Sequence, residues 1–265
     1  MTVHVLRFAG PTQAWPGRAR WDTRPTLPAP TYSAVAGFLH ACLGQPRPAH
    51  GEPWELHPAL TGAHIAARVD QPGEPFDDYQ TVNPLPAAMF NGDPKAPKPS
   101  DLAVVRDGKG SAWMGGTTTA VTRRGYLADA AFTVLVEPAA PHQADQLAAA
   151  LHQPHHPPYL GRRNSPPAWP WYLGTHHHWD LETAANTTPT ITTTPAPYHE
   201  LHHLQGNPTT QPLHTTNHPT RPLDRPAGRY HPHHVPVTTV DPPNVPTLND
   251  LLTWAHTNLT QPAHA

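Results

Sequence analysis

The chain has 265 residues but only one cysteine, Cys42, and three lysines against 14 arginines. A single cysteine excludes a disulfide within the chain and a zinc site built from cysteines. The N-terminal sequence has no charged segment followed by an apolar core, as a secretory signal would. No apolar run approaches the roughly 18 residues that span a membrane. These absences predict a soluble, cytoplasmic protein.

Charge is also scarce, because charged residues make up 14% of the chain and the net charge is −2. The large positive charge of proteins that bind duplexes non-specifically is therefore absent, and any nucleic-acid site must be local. The arginines do occur in groups, at 18–24, 123–124, 162–163 and 221–229. What the chain has instead of charge is 38 prolines and 22 histidines, which are rarely so abundant in a globular domain.

Hydrophobic periodicity predicts a mixed α+β domain in the first part of the chain. The predicted elements are a strand at 2–8, a helix at 31–43, strands at 63–70, 117–126 and 130–137, and a short helix from 145 to 151. The order β-α-β-β-α-β is that of a ferredoxin-like domain, which many RNA-binding proteins share with the RRM. We assign this domain to 1–175. The Pro- and Gly-rich insertion at 77–116, with a possible edge strand at 102–106, is expected to project from it.

The composition changes after residue 175, where Thr, Pro and His replace the apolar periodicity. Proline removes backbone donors, so we expect 175–246 to be rich in loops, with short edge strands at best. One such strand is predicted at 234–240. A helix is predicted to start at Thr247 and to dock an apolar stripe on the core. The C-terminal part, 176–265, is therefore expected to differ from the first domain.

Two histidine motifs invite a metal-binding interpretation. His199, Glu200 and His203 match the H-E-x-x-H pattern of zinc proteases, which binds metal only when both histidines share one face of a helix. Prolines and a glycine flank this motif, so we interpret it as an accident of composition. The run at 176–178 has three adjacent histidines, which do not converge on one ion without a fold around it. The sequence thus predicts no metal.

The sequence GRRNSPP at 161–167 is the strongest candidate site. Two guanidinium groups beside a glycine, an amide and a hydroxyl form a chemistry suited to phosphate, although the same residues are common in surface turns. A second candidate is the pair Arg123 and Arg124 beside Tyr126, which suits single-stranded RNA or, equally, a salt-bridged strand edge. Both interpretations remain open for each segment taken alone.

Four motifs follow one another in a fixed order along 6–168. They are LRFAGPTQAW at 6–15, RPT at 24–26 with PTYSAVAG at 30–37, DYQTV at 78–82 with VTRRGYLADAAF at 121–132, and YLGRRNSPPA at 159–168. Together they resemble the CasD family, the subunit of type I-E CRISPR Cascade complexes that caps the 5′ end of the guide RNA. Two positions depart from the family pattern, since Tyr32 stands where the family has lysine and Ala34 where it has glycine.

The resemblance implies a ferredoxin-like palm with a β-hairpin thumb formed by the insertion. It further implies a non-catalytic subunit that holds the 5′ handle of the crRNA and contacts a large subunit and a backbone subunit. Target DNA would be reached only indirectly, with no cofactor and no membrane. The alternative function is a metal-independent endoribonuclease that processes CRISPR repeat RNA, because the equivalent subunit of a related subtype cleaves the precursor.

The predicted RNA-binding residues combine cations for phosphates, aromatic rings for bases and small polar donors. They are Arg7, Gln13, Trp15, Arg18, Arg24, Thr31, Tyr32, Ser33, Tyr79, Thr81, Trp113, Thr122, Arg123, Arg124, Gly161, Arg162, Arg163, Asn164 and Ser165.

Overall fold

A computed structural model describes residues 1–17, 20, 22–46, 55–82, 120–192, 196, 198–206, 211–220 and 231–260. The helices are α1 (Tyr32–Leu43), α2 (Pro141–His152), α3 (Leu181–Thr187) and α4 (Leu248–Asn258). The strands are β1 (Thr2–Ala9), β2 (Thr12–Gln13), β3 (Thr23–Arg24), β4 (His64–Gln71), β5 (Glu74–Val82), β6 (Ala120–Ala128), β7 (Ala131–Glu137), β8 (Tyr172–His177), β9 (His199–Gln205), β10 (His214–Thr220) and β11 (His231–Val240). In these ranges no helix has the length and apolar character needed to cross a membrane.

Seven strands form one antiparallel sheet in the order β10-β11-β9-β4-β7-β1-β8. Four adjacent strands of this sheet, with α1 and α2, follow the chain order β1-α1-β4-β7-α2-β8. This is the split β-α-β arrangement of a ferredoxin-like domain. The predicted α+β class and ferredoxin-like palm are therefore confirmed.

Helices cover both faces of the seven-stranded sheet. Alternation along β1 points Leu6 and Phe8 into a core that includes residues of α1 and α2. Val3 and Val5 point the opposite way, into a second core with residues of α3 and α4. The central strands are thus buried on both sides, which explains their near-continuous apolar character.

The helix ends follow local signals. The Thr31 side chain accepts a hydrogen bond from the Ala34 N–H, and Gly44 ends α1 with a left-handed φ of 73°. Thr247 and Asp250 form the expected capping box of α4. Helix α2 begins at Pro141, four residues before the predicted start, because Gln143 Oε1 accepts from the Ala140 N–H and closes an earlier turn.

The expectation of short edge strands at best after residue 175 is wrong. Strands β9, β10 and β11 have 7, 7 and 10 residues and extend the palm sheet, and β9 lies between β4 and β11 in its interior. The prolines are accommodated because Pro232 and Pro236 precede the stretch 237–240 that pairs with β9. The part of β11 that contains these two prolines pairs only with β10, so a missing backbone N–H costs little there. The proposed boundary at 175 falls inside β8.

A second, smaller sheet carries the candidate site. Strands β5 and β6 pair along their whole lengths into a hairpin, and β6 also pairs with β2 and β3. The predicted insertion at 77–116 therefore starts within β5. Its possible edge strand at 102–106 lies outside the described residues.

A buried arginine that sequence analysis did not find joins the palm sheet to α3. Arg68 on β4 is fully buried and its Nε lies 2.5 Å from Asp70 Oδ1. Its Nη1 donates to the carbonyls of Ala185 and Thr188, at the end of α3. Arg68 therefore supplies hydrogen bonds that the C-terminus of this short helix lacks.

Candidate nucleic-acid interface

Three arginines from distant parts of the sequence meet beside the hairpin. The parallel pairing of β3 with β6 sets Arg24 next to Arg124. Arg162 reaches the same place from the loop at 160–167, where its Nη2 donates to the Arg24 carbonyl at 3.0 Å. We call Arg24, Arg124 and Arg162 the arginine cluster.

Tyr126 and Asn164 hold the Arg162 side chain in place. The guanidinium carbon of Arg162 lies 4.4 Å from the centre of the Tyr126 ring, within cation–π distance. Asn164 Nδ2 donates to the Tyr126 hydroxyl at 2.9 Å. Arg162 Nη1 is buried and has no hydrogen-bond partner among the described residues. An unpaired donor of this kind is costly to bury.

The electrostatics of the cluster favour an anion. The pKa of Arg124 is lowered from its ordinary value, first by burial and then by the charges of Arg24 and Arg162, while Asp78 acts in the opposite direction. Ion pairs within the described ranges join His64 to Glu137, Arg68 to Asp70 and His202 to Glu200, so none includes a cluster arginine. A phosphate among the three guanidinium groups would relieve this mutual repulsion.

The loop at 160–167 has a rigid frame. Leu160 N–H donates to the Ser165 carbonyl at 2.7 Å, and Ala14 N–H donates to the Leu160 carbonyl at 3.1 Å. Gly161 has a φ of +84°, and a Cβ there would lie 1.6 Å from the Ala14 oxygen. Gly161, which was among the predicted RNA-binding residues, thus permits a close approach to the chain's own backbone.

The other face of the hairpin presents a second basic and aromatic pair. Tyr79 and Arg123 are opposite each other in the register, and the guanidinium of Arg123 lies 6.0 Å from the Tyr79 ring centre. Tyr79 is 59% exposed, and Thr81 on the same face is also exposed. Because adjacent residues alternate, this pair points away from Asp78 and Arg124.

Several predicted binding side chains are buried, which corrects those assignments. Trp15 is 1% exposed, stacks on Phe8 and meets Phe132 edge-on, so neither ring face is open to a base. The amide of Gln13 is buried and donates to the carbonyls of Phe8 and Ala130. The side chains of Trp15 and Gln13 therefore pack within the palm and stabilise it.

Four more predicted binding residues are buried or half-buried within the fold. Thr31 is buried as the α1 cap, and buried Ser165 lies with its Oγ 3.2 Å from Thr12 Oγ1. Thr122 is also buried. Arg7 is half-buried on the sheet face opposite Leu6 and Phe8, where burial lowers the pKa of its guanidinium and the charge of Asp70 raises it. None of these four joins the arginine cluster.

The other predictions divide into accessible residues and undescribed ones. Arg163 and Asn164 are exposed on the loop, beside half-buried Arg162. Tyr32 and Ser33, in the first turn of α1, are half-buried. Arg18 and Trp113 lie outside the described residues.

Sequence analysis did not find how the arginines are oriented. Gln80, which contacts Arg124, was not among the predicted binding residues. Tyr126 was named beside Arg123 and Arg124, but its contact with Arg162 was not predicted. Their role depends on the register between β5 and β6, which a connection of undescribed residues separates. The alternation of residues along each strand would have shown which residues share a face of the hairpin, but not which residue of β5 pairs with which residue of β6.

The zinc-protease pattern is not realised. His199 and His203 lie on strand β9, where residues four apart are about 13 Å distant, too far to share an ion. His199 Nδ1 bonds the Val69 carbonyl and His203 Nε2 bonds Thr238 Oγ1, both at 2.9 Å. The described ranges contain no group of three His, Cys, Asp or Glu side chains that could hold a metal. In the other histidine run, His176 stacks on Trp179.

Comparison with known proteins identifies the family of the chain. The family model described as CRISPR-associated protein (Cas_Cas5) matches residues 4–237, which include the arginine cluster and both strands of the hairpin. The chain belongs to this family. It is 34% identical over 173 residues to the CRISPR system Cascade subunit CasD of Escherichia coli (strain K12), covering 64% of this chain and 70% of that protein. The resemblance to the CasD family is confirmed.

Solved structures show the same fold over nearly the whole chain. A chain of a CRISPR RNA-guided surveillance complex is similar with a TM-score of 0.68 and 26% identity, covering 97% of this chain and 98% of that one. A crystal structure of a Cas protein is similar with a TM-score of 0.57 and 25% identity, covering 92% and 100%. The similarity therefore includes strands β9 to β11, beyond the four motifs at 6–168.

Proposed function

We propose that this chain is the RNA-binding subunit of a type I-E CRISPR Cascade complex, and that it holds the 5′ handle of the crRNA. The observation that carries the proposal is the arginine cluster, in which three guanidinium groups converge without a described ion-pair partner. Single-stranded RNA needs such local phosphate neutralisation together with aromatic surfaces for bases. The Tyr79–Arg123 pair supplies the second element on the opposite face of the hairpin.

The family membership supports the rest of this assignment. As in the CasD family, we propose that the β5–β6 hairpin with the insertion at 77–116 acts as a thumb on the palm. The partners would be the large subunit and the backbone subunit of the complex, in the cytoplasm, with target DNA contacted indirectly.

We further propose that the subunit holds RNA without cutting it. The described contacts of the cluster come from Tyr126, Gln80 and a backbone carbonyl, and Asn164 supports Tyr126. No histidine, the side chain most often used as a general acid or base, is among these contacts, so they supply charge and hydrogen bonds for phosphates without that group. Incubation with labelled repeat RNA in the presence of a chelator should leave the RNA intact, whereas a discrete cleavage product would contradict this part of the proposal.

Assembly of the complex tests the proposal. The chain is co-expressed with guide RNA and the partner subunits, and Arg162→Ala with Arg163→Ala is expected to reduce the RNA recovered with the complex by more than tenfold, about 1.4 kcal/mol or more. A control with Gln146→Glu in α2 and Gln153→Glu directly after it lowers the net charge equally on exposed positions and should assemble normally. Normal RNA recovery with the arginine variant would contradict the proposed site.

A further inference from the structure

A glutamine, not a carboxylate, orients the guanidinium of Arg124. Arg124 Nε donates to Gln80 Oε1 at 2.7 Å, and Gln80 Nε2 donates to Asp78 Oδ2 at 2.6 Å. Asp78 is directly opposite Arg124 in the hairpin register, the usual place for a cross-strand ion pair. The described ion pairs nevertheless do not include these two residues. Gln80 therefore stands between the two charges.

This arrangement leaves the two terminal nitrogens of the Arg124 guanidinium available for a ligand. A guanidinium has five N–H donors, and the bond to Gln80 uses only the one on Nε. The two terminal nitrogens have no hydrogen-bond partner within the described part of the chain, and they form the fork that binds two oxygens of a phosphate. A direct ion pair with Asp78 would instead neutralise the charge and compete for that fork.

We infer that Gln80 is a positioning residue for phosphate binding: it fixes the Arg124 fork and separates Arg124 from Asp78. The inference rests on the proposed function, because it assigns a role within the same RNA-binding cluster. If Gln80 only held the Arg124 side chain in place, a carboxylate at position 80 would keep that contact and attract the guanidinium more strongly, although it would lose the bond to Asp78. The two roles therefore predict opposite results for Gln80→Glu.

The test measures binding of the full chain to a fluorescein-labelled guide RNA that carries its repeat-derived 5′ segment. Fluorescence anisotropy over a series of KCl concentrations gives the dissociation constant and its salt dependence. Gln80→Glu pairs Arg124 with a carboxylate, so affinity should fall about fivefold. The slope of log K against log salt should fall by about 0.7, the value for one phosphate contact on a single strand. Gln146→Glu, with the same change of charge on α2, should leave both quantities unchanged.

A double-mutant cycle separates positioning from a general charge effect. In the Arg124→Ala background, Gln80→Glu should change affinity less than twofold, because the side chain that it acts on is gone. An equal loss of affinity in both backgrounds would overturn the inference, as would wild-type affinity and slope for Gln80→Glu alone. Gln80→Met removes both hydrogen bonds without adding charge, and it should weaken binding about threefold while the salt slope stays unchanged.

The outcomes also distinguish the inference from the proposed function. If the wild-type chain does not bind the RNA, both are overturned. If the wild type binds and Arg124→Ala weakens it, but Gln80→Glu does not, only the role of Gln80 is wrong. Urea denaturation of each variant shows whether its fold is intact, and the salt slope is a readout that a change of stability alone would not move.

Discussion

Replacing Gly161 by alanine should destabilise the fold by about 3 kcal/mol. Any residue with a side chain costs about 1 kcal/mol in the left-handed conformation that Gly161 adopts at φ +84°. The new Cβ would lie 1.6 Å from the Ala14 oxygen, which is backbone and cannot rotate away. The loop must then move from β2, breaking the Ala14–Leu160 hydrogen bond and the Ser165–Thr12 contact, worth about 1 kcal/mol each.

Gly37 provides the matched control. It lies inside α1, where an added Cβ meets nothing within 4 Å, so Gly37→Ala should stabilise the protein by about 0.5–1 kcal/mol. Urea denaturation followed by circular dichroism at pH 7 measures both variants. If Gly161→Ala unfolds within 0.5 kcal/mol of the wild type while Gly37→Ala is stabilised as expected, the described frame of the loop is wrong.

Two further predictions concern buried ionisable side chains in the palm. Asp70→Asn leaves the guanidinium of Arg68 buried without its ion pair and should lower the free energy of unfolding by about 3 kcal/mol in urea, so a loss under 1 kcal/mol would contradict the described pair. Burial lowers the pKa of His4 and of His40 to about 4, below the unfolded value of about 6.5, so the unfolded chain binds more protons in this window and stability should fall from pH 6.5 to pH 4. The double variant His4→Gln with His40→Gln should show a shallower fall in urea midpoints over this range, and an unchanged slope would refute the assignment.

Local signals predicted most of the palm. The cap at Thr31 and the glycine at Gly44 bound α1, and the capping box at Thr247 starts α4, because helix termini depend on residues within one turn. The order of elements then led to the ferredoxin-like sheet. Fold class and helix ends were therefore accessible from the sequence.

Strands β9 and β10 were not predicted, and β11 was predicted only over 234–240, because the signals for these strands are tertiary. His199, His202 and His203 on β9 are buried, so the usual alternation of polar and apolar residues is absent. Their imidazoles are compatible with burial because each finds a partner, such as Thr238 for His203. Composition alone cannot show that neighbouring strands will supply those partners.

The candidate site was predicted in its residue types but not in its arrangement. Arg24, Arg124 and Arg162 were all named from the sequence, whereas their convergence depends on a parallel pairing of two residues in β3. Trp15 was assigned to bases because an aromatic ring near arginines resembles a stacking residue, yet its ring fills the core. Burial decides between the two roles, and burial is set by packing.

Photo-crosslinking of the assembled complex, followed by mass spectrometry, tests the central claim most directly. With guide RNA that carries photoreactive bases in its 5′ handle, crosslinks should concentrate in the peptides that contain 121–126 and 159–168, together with Tyr79. Peptides from α2, such as 141–152, should remain unlabelled and serve as the internal control. Crosslinks concentrated on α2 or on β9 to β11, with none at the arginine cluster, would contradict the account.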